Sequence, residues 1–434
     1  MAERPQYFEN TLTPLSINAT TLSESLQELR IAVRNGAKLI QANTALPETW
    51  GPNGIFRDFP GIALAFLRLD YQSSVLEDPK VTSFNYLRYA LQRIPSSLPD
   101  TPLLASRLSP VGSCSPVTAV ILRILGTLAK NDWQDSANFS IAREDIACLH
   151  EAMQWALKNE PLVAHNGRMM GGDEMLFGRA GLLWALLNVR AHNFDQETLE
   201  ALSPVLGAIP ELIRVIVDAG RQGSKEYTEK NEAQDAHPLM YAWIEGYYCF
   251  GATEELTDYL HVIGGTITAL CKLSGATKGH LPMTLPPYGS KQRSSELVQL
   301  CHGIPGLLIL LGTALKNKPL TRAYWDPSWD RAIYLGTERV WEEGLLSKGG
   351  SLCHGLAGNA WAWLLLHDCF EYHSETLNEA QTLYLQNHQI SALPNSEMSQ
   401  ELTSDFFLSR ALAFMLHARQ TKPYNTPGLA CIFW

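Results

Sequence analysis

The sequence predicts an all-α protein, an α/α toroid: a double barrel of seven inner and seven outer helices in a single domain. Three observations carry this expectation. A turn rich in Gly or Pro, followed by an apolar run of helical character, recurs along the chain. More polar helical segments separate the copies. No convincing alternating strand series is visible.

The clearest copies are FPGIALAFLRL (59–69), LFGRAGLLWALLNV (176–189), HVIGGTITALCKL (261–273), CHGIPGLLILLGTAL (301–315) and CHGLAGNAWAWLLL (353–366). VGSCSPVTAVILRIL (111–125) and DFFLSRALAFMLHA (405–418) are weaker ones. Glycine at the turn lets the backbone bend sharply and start a helix against a neighbour. Runs without a polar face, such as Leu307–Leu315, belong inside. The amphipathic segments Leu22–Asn43, Glu144–Leu157 and Ser328–Glu343 are expected to cover them. Seven such pairs can close into a ring, which leaves a funnel where the inner helices begin. The Gly turns, and any site built on them, would gather there. No domain linker is apparent. The expected organisation is a helical segment, 1–45, packed on a toroid, 46–434. The stretches Leu281–Tyr288 and Pro394–Ser404 read as long loops at the funnel.

Composition narrows the function classes. The chain has 434 residues, is 46% hydrophobic and carries a formal charge of −10. An acidic chain without a basic block is a poor partner for nucleic acid. The N-terminus shows no apolar h-region, and stretches such as Leu182–Leu187 are too short to span a bilayer. No export signal and no transmembrane segment are therefore expected, and the expected location is the cytoplasm. The last four residues, Cys431 to Trp434, have the outline of a prenylation box, but Trp is not an accepted final residue. The eight cysteines are expected to be reduced thiols, most of them small buried apolar residues.

Two cysteines stand apart. Cys-His-Gly occurs at 301–303 and again at 353–355, each time opening an apolar helix. Thiolate and neutral imidazole are preferred zinc ligands, and a catalytic zinc keeps its fourth position open. A helix N-terminus helps a cysteine ionise. Adjacent Cys353 and His354 supply two ligands and Cys301 the third. A lone Cys-His-Gly is more simply a buried Cys beside a capping His; two in matching repeat positions favour a metal.

The motifs LFGRAG (176–181), HPLMYAW (237–243), LCHGIPG (300–306) and SLCHGLAGNA (351–360) resemble, in order, the successive signatures of the lanthionine synthetase C-like proteins, including their eukaryotic branch. The resemblance runs from about Trp50 to the C-terminus. It implies a seven-fold α/α toroid with a central zinc on two Cys and one His, here Cys301, Cys353 and His354. It also implies thiol addition to an electrophilic alkene. Bacterial members close thioether rings on dehydroalanine or dehydrobutyrine; eukaryotic members add glutathione to dehydroamino acids in damaged proteins. In that chemistry a thiolate attacks the β-carbon, and the resulting enolate takes a proton at the α-carbon.

The resemblance places His261 as the acid, although the family's His-Gly-x-x-Gly reads His-Val-Ile-Gly-Gly here, with Val262 after the histidine. Glu174, four residues before Gly178, corresponds to an acidic residue that assists proton transfer, with Asp173 as its competitor. His302 donates a hydrogen bond to the enolate or supports the metal ligands. Lys348, five residues before Cys353, and Arg4 take the glutathione carboxylates. A family arginine beyond the second zinc motif is missing near Ala392, where Arg293 is the available substitute. The seventh repeat is worn, with Ser409 and Arg410 near its expected glycine.

The first functional expectation is therefore an enzyme that adds glutathione or another small thiol to a dehydroamino acid in a peptide or protein, or to a small electrophile. A zinc- and glutathione-binding scaffold or receptor-like protein is the second. A thioether-forming cyclase or transferase of natural-product biosynthesis is the third. A toroidal glycosidase would need two carboxylates across a cleft and leaves the paired Cys-His-Gly motifs unexplained.

Overall fold

Each of the seven apolar runs forms a helix in the computed structural model of the chain. The structure describes residues 6–56, 58–77, 84–113, 115–131, 133, 139–158, 162–165, 167–231, 236–244, 247–249, 259–285, 297–393 and 402–419. In chain order the helices are α1 (Ala19–Asn43), α2 (Asp58–Tyr71), α3 (Ser73–Leu76), α4 (Tyr86–Leu91), α5 (Pro116–Lys130), α6 (Arg143–Ala156), α7 (Arg179–Arg190) and α8 (Gln196–Gly207). They continue with α9 (Ile209–Asn231), α10 (Leu260–Ala276), α11 (Ile304–Lys316), α12 (Lys318–Tyr324), α13 (Pro327–Glu343), α14 (Leu356–Tyr372), α15 (Ser374–His388) and α16 (Ser404–Ala418). The repeat units map onto α2, α5, α7, α10, α11, α14 and α16, and the predicted polar helices onto α1, α6 and α13. The all-α class expected from the sequence holds.

Short strands correct one detail of that expectation. β1 (Leu162–His165), β2 (Arg168–Gly171), β3 (Tyr241–Ile244) and β4 (Tyr247–Cys249) form an antiparallel sheet in that order. β5 (Val298–Gln299) and β6 (His302–Gly303) form a second, two-stranded one. Strands of two to four residues are too short for a period of two to show in a sequence.

Two kinds of helix start contrast with one another. α5, α8, α13 and α16 begin at Ser115, Asp195, Asp326 and Thr403, whose side chains accept from backbone N–H groups of the first turn. α7, α11 and α14 begin instead at Gly178, Gly303 and Gly355, without a side-chain cap. A Cβ at any of the three would run into the backbone of the preceding loop. Glycine there lets the loop fold back against the helix entrance, and these are the turns that carry the sequence motifs.

The chain divides into two compact units, one within 1–32, 233–239 and 254–425, the other within 33–232 and 240–253. In the first, α11 packs against α13 and α14, α14 against α16, and α10 against α13. Trp329 and Trp363 are fully buried there. Trp329 Nε1 donates to Thr268 Oγ1 at 2.9 Å, which links α13 to α10. Trp363 meets Phe414 edge to face, with ring centroids 4.9 Å apart. Residues 6–8 pair with the chain just after α13: Phe8 N–H donates to Leu345 O at 2.9 Å and Ser347 N–H to Gln6 O at 3.0 Å.

In the second unit α5 packs against α2, α6 and α7, and α9 against α7 and β3. Two buried guanidinium groups tie its segments together. Arg93 reaches Gln41 Oε1, Thr44 Oγ1 and Tyr89 O. Arg179 reaches Asp173 Oδ1 and the carbonyls of Ala156 and Lys158. A charge taken from water must be met by such partners or it destabilises the fold. Among the described residues no helix is long and apolar enough to cross a membrane.

Candidate metal centre

Leu300 and Cys301 form the two-residue turn of the β5–β6 hairpin, in which Gln299 pairs with His302 and Val298 with Gly303. Gly303 then takes φ = 117°, a conformation that L side chains rarely adopt, and α11 begins at the next residue. Cys353 and His354 lie in the turn that leads, through Gly355, into α14. Both cysteines thus sit just ahead of an apolar helix, as the repeat pattern predicts.

Backbone bonds and one buried amide bring the two turns together. Cys301 N–H donates to Cys353 O at 3.3 Å, while Leu356 N–H donates to Gly349 O at 3.0 Å and closes the second turn on itself. Fully buried Asn359 on α14 donates through Nδ2 to Val298 O at 3.1 Å and to Gly344 O at 3.0 Å. It fastens the strand before Cys301 to the helix after Cys353. At Gly358 a Cβ would land on Leu352 O, so the same helix needs glycine to approach its own entrance loop.

Cys301, Cys353 and His354 consequently bring one ligand atom each to within 4.8 Å of one another. Cys301 Sγ lies 3.4 Å from His354 Nδ1. Four-coordinate zinc with ordinary Zn–S and Zn–N bonds separates a sulfur from a nitrogen by about 3.5 Å along a tetrahedron edge. Two thiols and one imidazole within 4.8 Å of one another, with one sulfur–nitrogen pair at that spacing, fit zinc and leave its fourth position open. Cys353 is buried, while Cys301 and His354 are half-buried, so the centre has a solvent-facing side. Among the described residues this is the one such group of three metal-ligating side chains.

Electrostatics separates these thiols from the others. The Cys353 hydrogen bond, with further help from His354 and His302, holds Cys301 well below the ordinary thiol range despite its burial. Burial pushes Cys148 and Cys369 up to about 12 and Cys271 well above its usual value. Those three are apolar packing residues in reduced form.

His302 is half-buried in β6, one residue from Cys301. His261 is exposed at the start of α10. Lys348 is exposed, and its Nζ donates to Gln299 Oε1 at 3.0 Å. Arg4 and Arg293 lie outside the described residues, as does the Cys431–Trp434 tail. Gln6, two residues beyond Arg4, is paired with Ser347 beside Lys348. In the other unit, Asp173 and Glu174 part company. Asp173 is buried and bound by Arg179 at 2.8 Å, a structural anchor. Glu174 Oε2 accepts from the N–H groups of Leu176 and Phe177, at 2.7 and 3.0 Å. Burial outweighs these two bonds and pushes its carboxyl up to about 7, where it exchanges protons near neutrality.

Sequence reasoning passed over Gln299. This residue is buried, and its Nε2 donates to Cys301 Sγ at 3.3 Å. Its position two residues before the cysteine was the only signal, and a glutamine in that place has no motif to announce it.

The model for lanthionine synthetase C-like proteins matches residues 49–405 of the chain. Glutathione S-transferase LANCL1 of Danio rerio is 28% identical over 366 residues, covering 80% of this chain and 76% of that protein. LanC-like protein GCL1 of Arabidopsis thaliana is 30% identical over 256 residues, covering 55% of this chain and 52% of its own length.

Proposed function

We propose, from the premise that the chain belongs to the lanthionine synthetase C-like family, that it adds a small thiol, glutathione foremost, across an electrophilic alkene such as dehydroalanine or dehydrobutyrine. The observation that carries this proposal is the Cys301–Cys353–His354 donor set, preassembled within 4.8 Å. The name of the Danio rerio relative, a glutathione S-transferase, supports the choice of thiol.

Cys301, Cys353 and His354 would hold zinc. Bound there, zinc would supply a Lewis acid that keeps an exogenous thiol, as its fourth ligand, ionised at neutral pH. The addition forms one C–S bond at the β-carbon and one C–H bond at the α-carbon. The thiol gives up its proton, an acid returns one, and nothing is oxidised or reduced. The exposed Lys348 ammonium offers hydrogen bonds to a substrate carboxylate. Exposed His261 is assigned the proton delivered to the α-carbon, and half-buried His302 a hydrogen bond to the enolate oxygen. Glu174, whose carboxyl titrates near 7, is assigned proton exchange. Arg4 and Arg293 are carried as further carboxylate partners on sequence grounds alone.

The test combines metal analysis of the purified chain with mass spectrometry of a dehydroalanine peptide incubated with glutathione. One zinc per chain and an adduct that disappears in Cys353→Ala and His261→Ala are expected. Zinc without an adduct would favour a zinc- and glutathione-binding scaffold, and a chain that takes up no zinc would overturn the proposal.

A further inference from the structure

The side-chain amide of Gln299 lies between two groups that the proposed function uses. Its Nε2 donates to Cys301 Sγ at 3.3 Å, and its Oε1 accepts from Lys348 Nζ at 3.0 Å. The residue is 5% exposed and sits in β5, where pairing with His302 fixes its backbone. A lysine ammonium has donors only, so it must take the carbonyl end of the amide. The NH2 end is thereby turned to the sulfur. One partner orients the group for the other, and a flip would set two donors face to face at Lys348.

Both contacts have chemical consequences. An N–H donated to a ligating sulfur withdraws charge from it and fixes its direction, as the outer partners of metal ligands generally do. The bond to Lys348 takes one of three ammonium donors and leaves two for an anion. It also keeps the ammonium within about 9 Å of the sulfur, as hydrogen-bond lengths and one amide group dictate. A thiol whose carboxylate lies several bonds from its sulfur spans such a gap, whereas a short thiol without a carboxylate gains nothing from it.

We propose that Gln299 is a positioning residue that couples carboxylate recognition at Lys348 to the sulfur environment of the metal centre, and so selects thiols bearing a distant carboxylate. The inference rests on the zinc and thiol assignment above, and its test separates the two.

The full chain is loaded with cobalt(II), and its visible absorption is recorded for the native protein, Gln299→Leu and Gln299→Glu. Binding of glutathione and of its glycine-carboxamide analogue to the zinc-loaded proteins is measured by calorimetry. Native protein is expected to favour the acid over the amide roughly tenfold. Gln299→Leu should lose that preference and shift the sulfur-to-cobalt band. Gln299→Glu keeps an acceptor for Lys348 but not the donor to sulfur, so it should retain the preference while shifting the band. Two variants with native spectra and native preference would overturn the proposal. So would a fall in melting temperature and affinity that treats acid and amide alike, since that marks a merely structural residue. A native chain that binds neither cobalt nor zinc refutes the metal assignment itself, and the Gln299 role with it.

Discussion

Two cysteines ahead of matching helices differ from the chain's other described thiols in their neighbours, not in their residue type. Cys301 has Cys353, His354 and the Gln299 amide around its sulfur, whereas Cys148, Cys271 and Cys369 are held protonated by burial. Replacing Cys353 by Ser should cut zinc retention after dialysis by at least about tenfold, since harder oxygen replaces a soft donor; atomic absorption of the dialysed variant measures it. Glu174 makes a separate prediction. Its folded carboxyl titrates near 7 against an ordinary value of 4.5. Between those values the folded chain binds the proton more tightly than the unfolded chain does. Stability from this group therefore declines as pH rises from about 4.5 to about 7. Chemical denaturation across that interval should show a shallower decline in Glu174→Gln than in the native protein. Equal slopes would mean that Glu174 titrates normally.

At the scale of elements, the decisive feature is how α11 and α14 begin. Each lacks a side-chain cap, and each follows a turn that presents a cysteine of the candidate metal centre. Gly303 combines φ = 117° with a Cβ direction that leads onto Leu297 O. Gly303→Ala should thus cost about 1–3 kcal/mol from backbone strain before the clash is counted, and it should lower zinc occupancy because the β5–β6 turn moves. Urea unfolding with parallel metal analysis tests both; unchanged occupancy would show that the turn tolerates the shift. Farther from the site, Trp363 joins α14 to α16 through Phe414. Trp363→Ala should lose about 3–5 kcal/mol, with a correspondingly large drop in the denaturation midpoint. A loss below 1 kcal/mol would mean that the helices close over the space.

For the whole molecule, a metal on Cys301, Cys353 and His354 would join residues more than fifty positions apart in sequence. A ligand that binds only the folded state raises stability, by about 4 kcal/mol at a thousandfold excess over its dissociation constant. Chelation of the native chain should therefore lower its melting temperature by several degrees, and added zinc should restore it. Calorimetry of Cys353→Ser should show a smaller response to both treatments. A chain that melts at one temperature with and without chelator would speak against a tightly held metal.

The repeat of glycine turn and apolar run, legible in residues such as Gly178, Gly303 and Gly355, determined the helical class and the places where seven helices begin. Two Cys-His-Gly copies likewise determined which thiols to pair, because helix entrances and soft donors are local properties of a few adjacent residues. The short strands were not legible, since two to four residues carry no period. Nor were the separate fates of Asp173 and Glu174, which look alike in sequence until Arg179 claims one of them. Gln299 belongs with these. The tertiary structure alone decided that its amide meets Cys301 and Lys348, residues two and forty-nine positions away, because the approach of two loops is set by buried groups such as Asn359 and not by any local pattern.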